Sequence, residues 1–402
     1  MQNKQRSKIE FIALMASLMS IVALSIDALL PALEQIGISI GIHNTTDNQL
    51  LVTMIFLGLG FGQLIFGPIS DSLGRKPVIY MGFTLFVIAS FICVSAANLE
   101  TMVVGRVLQG IGLAAPRTIS IAMIRDSFSG NYMAKIMSFV VVLFILVPVV
   151  APAIGKLILD AYGWKAIFIS QLIIGVAIMI WLWKRQPETL PVEKRTKFRV
   201  RLFIDGAKEF IKHKQAVTFT LVSGFITGSF MVYLSASQHI FQEQYHFKEE
   251  FPYIFAGLAI AVGFATFLNG TFVMRFGMYN LVKVFTLMFT LVPLLYAIIY
   301  FNNDINPSIT VFLIFCGLEF FAIGFLFGNL RALAMQPVGH IAGVGSAING
   351  FVSTIMAVPI ATFIGSYVIE TALPLFIGFF ICGLCSFLLI QFLPKHSITK
   401  NE

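Results

Sequence analysis

The sequence predicts an all-α polytopic membrane protein with twelve transmembrane helices in two pseudo-symmetric six-helix halves. Of its 402 residues, 58% are hydrophobic and only 11% are charged, whereas about 25% of the residues of a soluble globular domain are charged. The chain contains apolar runs near the roughly 20 residues that cross a bilayer as one helix. The glycine spacing of a Gly/Pro-rich turn between two of these runs recurs half a chain later, which indicates a duplicated unit.

Twelve apolar runs are assigned as membrane spans from hydropathy over windows of about nineteen residues. They are residues 9–31, 46–69, 77–97, 99–122, 133–159, 165–185, 216–240, 252–275, 280–301, 308–330, 343–368 and 372–394. We therefore expect an N-terminal half at residues 1–186 and a C-terminal half at residues 216–402. The segment between them, residues 187–215, is predicted to be a basic cytoplasmic linker.

The positions of Lys and Arg predict the orientation of the chain. An even number of spans puts both termini on one side, and this side receives all but five of the 27 Lys and Arg residues. Lys156, Lys165 and Lys248 fall on the other side, and Arg106 and Arg117 fall within spans. The positive-inside rule then predicts cytoplasmic termini. Because the basic residues are spread over loops, the net charge of +8 does not indicate a nucleic-acid partner.

The sequence contains no cluster typical of an enzyme or a metal site. Its four cysteines, Cys93, Cys316, Cys382 and Cys385, lie in apolar runs, and no second pair or nearby histidine completes a zinc site around the last two. We interpret them as small packing residues. We expect no cofactor, no metal and no catalytic centre.

The turn between spans two and three is the most distinctive stretch of the chain. Residues 67–77 read GPISDSLGRKP, and the Gly and Pro residues are expected to break both flanking helices. Asp71, Arg75 and Lys76 would be costly in hydrocarbon and are predicted at the membrane face. Residues 270–278 repeat the glycine spacing, with Met274 in place of Asp71.

The linker is rich in basic residues, with ten Lys and Arg between residues 184 and 214. Its second part mixes apolar with basic side chains, namely Phe198, Leu202, Phe203, Phe210 and Ile211 with Arg199, Arg201, Lys208 and Lys212. This pattern predicts either a basic amphipathic helix on anionic membrane lipid or a solvated loop. The sequence leaves both open.

Six motifs together resemble one known family. The turn at 67–77 is similar to the loop signature of the major facilitator superfamily. RVLQGIG at 106–112 resembles its fourth-span signature, and APAIG at 151–155 resembles its fifth-span antiporter signature. DALLPAL at 27–33 and PETL at 187–190 are typical of the bicyclomycin and chloramphenicol resistance (Bcr/CflA) branch of its twelve-span drug:proton antiporters, as is the Arg-Asp pair that follows span four. The resemblance covers almost the whole chain.

This resemblance implies the major facilitator fold, a small-molecule substrate, protons as a second partner, a monomer and a bacterial inner-membrane location. It also implies roles for individual residues. The helix-packing signature comprises Gln109, Gly110, Pro148, Pro152 and Gly155. The cytoplasmic gate comprises Gly67, Asp71, Gly74, Arg75, Lys76, Arg125 and Asp126.

Within that gate we expect Asp71 to form a latch with a basic residue such as Arg125. The alternative is a solvated hairpin whose charges only follow the positive-inside rule.

Charges inside spans need an explanation, since each costs at least about 2.5–3.5 kcal/mol near the bilayer centre. Asp27 near the outer end of span one and Arg106 in span four are predicted at similar depths. Arg117, eleven residues after Arg106, projects from the same helix face. The hypothesis is that Asp27 is a protonation switch with Arg106 as its partner. The alternative is a static ion pair that fixes helix register.

In the resembled fold spans one and four line the substrate cavity, so Asp27, Arg106 and Arg117 are expected to line it here. Four further residues are candidates for this cavity in the second half. Glu319 is an acid near the middle of span ten, and it either serves substrate or proton binding or bonds to a neighbouring helix. Phe230, Tyr233 and Gln238 follow one face of span seven as an aromatic wall with a polar rim. For Phe230 a packing role is the default interpretation.

Together with the intramembrane charges, the resemblance implies a proton-coupled antiporter that exports small amphipathic or antibiotic-like compounds by alternating access. One alternative is a proton-coupled carrier of a single physiological solute, such as a nucleoside, amino acid or siderophore. A second is a membrane receptor that transports nothing. The retained charges of Asp27 and Arg106 argue against the second.

Overall fold

The computed structural model describes residues 7–42, 44–128, 130–195, 200–301 and 305–393. The two chain ends, predicted to be cytoplasmic, lie outside these residues. So do Phe198 and Arg199 of the predicted amphipathic segment. The described chain is helical throughout, which agrees with the all-α class.

The α-helices follow one another with short connections. They are α1 (Lys8–Asp27), α2 (Leu33–Ser39), α3 (Leu50–Leu73), α4 (Arg75–Ser95), α5 (Leu99–Ser127), α6 (Gly130–Tyr162), α7 (Trp164–Arg185), α8 (Val200–Lys212), α9 (Lys214–Gln238), α10 (Phe251–Phe276), α11 (Met278–Tyr300), α12 (Ile309–Met335), α13 (Ala342–Gly365) and α14 (Leu373–Gln391). Helix α9 continues as a π-helical turn, His239–Gln244.

Eleven helices in the described ranges are long and apolar enough to cross a membrane, so this is a multi-pass membrane protein. Each overlaps one predicted span. The remaining prediction, residues 133–159, falls within α6, a helix of 33 residues that is not among the eleven.

Two compact units make up the chain, one from residues 1–43 and 54–198 and the other from residues 44–53 and 199–402. In the first unit, α1 packs against α5, α6 and α7, while α4 packs against α5 and α7. In the second unit, α9 packs against α12, α13 and α14, while α11 packs against α12 and α14. The two units thus have the same pairing pattern, in which α1, α4, α5, α6 and α7 correspond to α9, α11, α12, α13 and α14.

The two Gly-rich turns are tighter than the sequence predicts. Helix α3 runs through Gly67 and Pro68 to Leu73, so the expectation that these two residues break the helix is wrong. The break comes at Gly74 alone, whose φ of 105° is strained for any other residue. Its counterpart Gly277 has a φ of 76° and is likewise the single residue between two helices.

Close backbone contacts position the helices around α5. A Cβ on Gly110 would collide with the backbone of Ile55 and Leu59 in α3, and one on Gly58 would collide with the carbonyl of Val107 in α5. The two helices therefore cross at their glycines, as small residues permit in membrane helices.

Helix α6 contains Pro148 and Pro152 and is packed against the end of α1. A Cβ on Gly155 would meet the carbonyl oxygen of Ala28. Gly155 therefore lets α6 approach the C-terminus of α1, the segment that carries Asp27.

Candidate functional site

The first candidate site is the C-terminal end of α1. Asp27 is the last residue of this helix and is 5% exposed. The helix ends here because Pro31, four residues on, has no N–H to donate to the carbonyl of Asp27. The chain turns into a short 3₁₀ segment, Leu30–Ala32, and just before it the N–H of Leu29 donates to the carbonyl of Ile26. The carbonyl of Ser25 consequently loses its usual backbone donor.

Arg106 of α5 takes the place of that donor. Its Nη1 and Nη2 atoms each lie 3.2 Å from the carbonyl oxygen of Ser25 and donate to it. The residue is completely buried. A cation at a helix C-terminus interacts favourably with the unsatisfied carbonyls and with the helix dipole. Arg106 therefore caps α1 from a neighbouring helix.

A chain of hydrogen bonds fixes the guanidinium. Nη1 of Arg106 donates to Oε1 of Gln109 at 2.8 Å, and Nε2 of Gln109 donates to Oγ of Ser90 in α4 at 2.8 Å. Ser90 donates in turn to the carbonyl of Phe86 at 2.7 Å. All four residues are buried, so α1, α4 and α5 share one connected polar network.

Asp27 stands beside this network without joining it. Its carboxyl group forms no hydrogen bond and no ion pair with the described residues, so the static Asp27–Arg106 ion pair is not present in this structure. The reason is that the guanidinium is committed to Ser25 and Gln109. Arg117 lies eleven residues further along α5 and is partly buried.

A second cluster surrounds the turn between α3 and α4. The side chain of Arg75 is only 6% exposed. It donates from Nε to Oδ2 of Asp126 at 2.8 Å and from Nη2 to Oδ1 at 3.3 Å. It also donates from Nη1 to Asp71 and to Oγ of Ser70, the latter at 2.8 Å. Arg75 is therefore the centre of this cluster.

Glu188, in the segment after α7, caps α4. Its two carboxylate oxygens accept hydrogen bonds from the backbone N–H groups of Arg75 and Lys76, each at 3.0 Å. An anion at a helix N-terminus satisfies amides that have no partner in the helix and complements the helix dipole. Lys76 also donates to the carbonyl of Trp183 near the end of α7 at 3.4 Å.

The structure corrects the predicted latch. Asp71 pairs with Arg75 of its own turn and not with Arg125. Arg125 is exposed at the end of α5, because adjacent helix residues point about 100° apart and it is Asp126 that faces the turn. A Cβ on Gly67 would have no atom within 4 Å, whereas a Cβ on Gly74 would lie 2.9 Å from Oε2 of Glu188.

Glu319 of α12 is a buried acid in the interior of the second unit. It is completely buried, and neither carboxylate oxygen has a hydrogen-bond partner among the described residues. The alternative in which Glu319 is bonded to a neighbouring helix is therefore not found. A buried polar group without a partner is unusual in a native protein and calls for a functional or structural explanation.

The aromatic residues predicted to line a wall are packed within the second unit. Tyr233 is 1% exposed and its ring meets that of Phe320 in α12 at 4.6 Å between centroids. Phe230 lies 5.6 Å from the same ring. Gln238 is buried and donates to Gln242 at 2.9 Å. Both ring contacts join α9 to α12.

Comparison with protein families assigns the fold. The model of the Major Facilitator Superfamily matches residues 14–361. The chain belongs to the Major Facilitator Superfamily. It is therefore a membrane-embedded transporter with a small-molecule substrate, and not an enzyme.

Individual members of the superfamily resemble the chain over most of its length. A bicyclomycin resistance protein homolog of Haemophilus influenzae is 26% identical and covers 99% of this chain and 100% of its own. The multidrug resistance protein MdtL of Escherichia coli O157:H7 is 27% identical, with 89% and 90% covered. A solved D-xylose-proton symporter has the same fold, with a TM-score of 0.75 at 15% identity and 97% and 98% covered. The names of the first two agree with the Bcr/CflA resemblance.

Two features of this superfamily member were not predicted from its sequence. One is the role of Glu188 as the cap of α4, although the PETL motif that contains it was noticed. The other is the capping of Ser25 by Arg106. No sequence signal predicts the second, because a backbone carbonyl is present at every residue and only the fold shows which one lacks a donor.

Proposed function

We propose that this transporter exports small amphipathic or antibiotic-like compounds from the bacterial cytoplasm in exchange for protons. The names of the relatives support the substrate class. The observation that carries the coupling concerns the carboxyl group of Asp27, which is buried and has no partner among the described residues. It lies two residues from the carbonyl that holds the Arg106 guanidinium, a cation that is bonded elsewhere.

This arrangement suits reversible protonation. A buried carboxylate without hydrogen bonds is costly, so the surroundings favour its neutral form. Ser25 and Gln109 hold the Arg106 guanidinium close to the end of α1. If α1 moves or water enters, the positive charge of Arg106 stabilises the ionised form of Asp27. Asp27 can therefore release its proton without the loss of any hydrogen bond of Arg106.

The energy of one proton is sufficient for export. Entry of one proton supplies about 2.3 kcal/mol per 100 mV of membrane potential and about 1.4 kcal/mol per pH unit. A potential of about 100 mV alone therefore holds a neutral substrate at a roughly 50-fold gradient.

The proposal includes the following topology. Helix α6 is the fifth of twelve spans, since 33 residues extend to about 50 Å and exceed the thickness of a bilayer. Both termini are cytoplasmic, the two six-helix halves alternate access as a monomer, and the Arg75 cluster is the cytoplasmic gate. The superfamily assignment and the repeated pairing of helices support this topology.

Glu319 is proposed as a second protonatable group in the C-terminal half. Its complete burial and its lack of partners among the described residues resemble the situation of Asp27. Burial without hydrogen bonds favours the neutral form of Glu319, as it does for Asp27. An acid at this position lowers the stability of the protein relative to a leucine, so we expect it to have a function.

The experiment is transport of radiolabelled chloramphenicol into inside-out vesicles under an imposed proton gradient. We expect wild-type protein and the surface control Asp160→Asn to accumulate the drug and Asp27→Asn to lose uphill accumulation. Drug counterflow without a gradient should survive in Asp27→Asn. Uphill accumulation by Asp27→Asn would show that Asp27 is not the coupling group. If wild-type vesicles transport one metabolite of a screened panel and no antimicrobial compound, the protein is instead a dedicated carrier.

A further inference from the structure

Helix α8 is held at the boundary of the membrane by its connection to α9. It ends at Lys212, and α9, which opens the candidate span Lys214–Gln244, begins after only one intervening residue. The last turn of α8 must therefore lie where a membrane-crossing helix enters the bilayer. A 13-residue helix extends about 20 Å, so its whole length lies near that boundary unless it points straight away from it.

Contacts within the second unit fix the rotation of α8 about its axis. Phe210 is 2% exposed and packs in a cluster with Ala216 and Val338. Gly206, one turn earlier, lies so close to Val344 of α13 that a Cβ there would be 2.7 Å from the valine side chain. Gly206 and Phe210 therefore form the packed face of α8, and the helix lies along the protein surface.

A different face of α8 presents apolar side chains that the protein does not cover. Ile204 is 50% exposed and Ile211 is 70% exposed. They are seven residues apart, which is almost two full turns, so they share one row along the helix. Isoleucine exposed to this extent at the edge of a membrane is stabilised if lipid, and not water, surrounds it.

Three cations follow the same helix in the next row. Arg201, Lys208 and Lys212 lie between the isoleucine row and a row formed by Asp205 and Glu209. Arg201 is 3.9 Å from Asp205 and its side chain is 91% exposed, so this pair contributes little. Lys208 forms no ion pair with any described residue.

Lys212 is the most constrained of the three cations. It lies 3.0 Å from Oε2 of Glu209, and its hydrogen bond lowers the pKa of that carboxyl group. The side chain of Lys212 is nevertheless 71% exposed. All three cations can therefore reach groups outside the protein.

We propose that α8 is an interfacial helix that binds anionic phospholipid of the cytoplasmic leaflet. Ile204 and Ile211 insert at the level of the upper acyl chains, and the row of Arg201, Lys208 and Lys212 contacts the lipid phosphates. The isoleucine row matches the acyl-chain layer of the leaflet, and the cation row beside it matches the headgroup layer. Long basic side chains extend to the headgroups while the apolar row stays in hydrocarbon. This proposal does not depend on what the protein transports.

The first test measures the environment of each face in the full-length protein. Nitroxide labels are attached to single cysteines introduced as Ile204→Cys, Ile211→Cys and, as matched controls, Asp205→Cys and Glu209→Cys. The protein is placed in vesicles of phosphatidylcholine and phosphatidylglycerol. Spin relaxation by oxygen, which concentrates in the bilayer, is compared with relaxation by a water-soluble nickel chelate. The unmodified chain, treated in the same way, measures the background from its four native cysteines.

The two faces should differ in this measurement. We expect oxygen to dominate at the isoleucine positions by several-fold and the nickel chelate to dominate at the acidic positions. Equal access of the nickel chelate to all four positions would show a solvated helix and overturn the proposal. Exclusion of both reagents from the isoleucine positions would show that protein covers this face, and it would overturn the proposal as well.

The second test addresses lipid charge. The variant Arg201→Gln, Lys208→Gln, Lys212→Gln is compared with the parent, both with a label at position 211. Replacing phosphatidylglycerol by phosphatidylcholine should lower the oxygen preference of the parent and leave that of the triple variant unchanged. An equal response of both proteins would show that these cations do not bind the anionic headgroups. Far-ultraviolet circular dichroism during thermal unfolding verifies that both proteins are folded.

Discussion

The cluster around Arg75 leads to a quantitative prediction about two aspartates. The sequence singles out Asp71, whereas in the structure Asp126 receives two hydrogen bonds from Arg75 and Asp71 receives one. The side chain of Asp126 is 17% exposed and that of Asp71 is 52% exposed. We therefore expect Asp126→Asn to destabilise the first unit far more than Asp71→Asn.

The magnitudes follow from these geometries. In Asp126→Asn one acceptor oxygen remains, but the amide N–H groups face a donor of Arg75, so one charge-assisted hydrogen bond is lost and the buried guanidinium is undercompensated. Such a loss costs about 2–3 kcal/mol in the free energy of unfolding. Asp71→Asn should cost less than about 1 kcal/mol, because solvent screens its ion pair. The difference is at least about 1 kcal/mol, which corresponds to an at least roughly fivefold ratio of unfolding constants.

The protein offers a suitable probe for this measurement. Its three tryptophans all lie in α7, in the same unit as the cluster. Tryptophan fluorescence during equilibrium unfolding by SDS in mixed micelles therefore reports on this unit. Asp160→Asn, whose partner is Lys156, controls for loss of a carboxylate alone. If Asp71→Asn costs as much as Asp126→Asn, or if neither differs from the control, the assignment of Arg75 as the centre of the cluster is wrong.

Two further substitutions test packing. Glu319→Leu should raise the free energy of unfolding by about 1–3 kcal/mol, because both carboxylate oxygens lack partners among the described residues. A lower melting temperature in a thermal-shift assay would reveal a partner for this acid. Gly110→Val should cost at least about 1–3 kcal/mol, since the backbone of Ile55 and Leu59 cannot yield. Gly67→Ala is the matched control: it meets no atom within 4 Å and should be neutral or stabilising by up to about 1 kcal/mol, so comparable losses for both glycines would contradict the helix crossing.

The fold could be predicted from the sequence because a membrane restricts the choices. Apolar runs of helical length, the distribution of Lys and Arg and a repeated Gly-rich turn are local patterns, and each indicates one element without knowledge of its neighbours. Gly74 and Gly277 show the strength of such local signals, since both adopt the positive φ that a one-residue turn requires. The error at Gly67 and Pro68 arises because transmembrane helices tolerate glycine and proline in their interior better than soluble helices do.

The partners of the charged residues could not be predicted in the same way. Hydropathy alone is enough to place Asp27, Arg106 and Glu319 within apolar helices. The packing of those helices was needed to learn that Arg106 caps the carbonyl of Ser25, while Asp27 and Glu319 form no hydrogen bonds with the described residues. The physical reason is that hydropathy and helical periodicity depend on neighbours along the chain, whereas a hydrogen bond depends on the rotation and depth of two packed helices to within about an ångström.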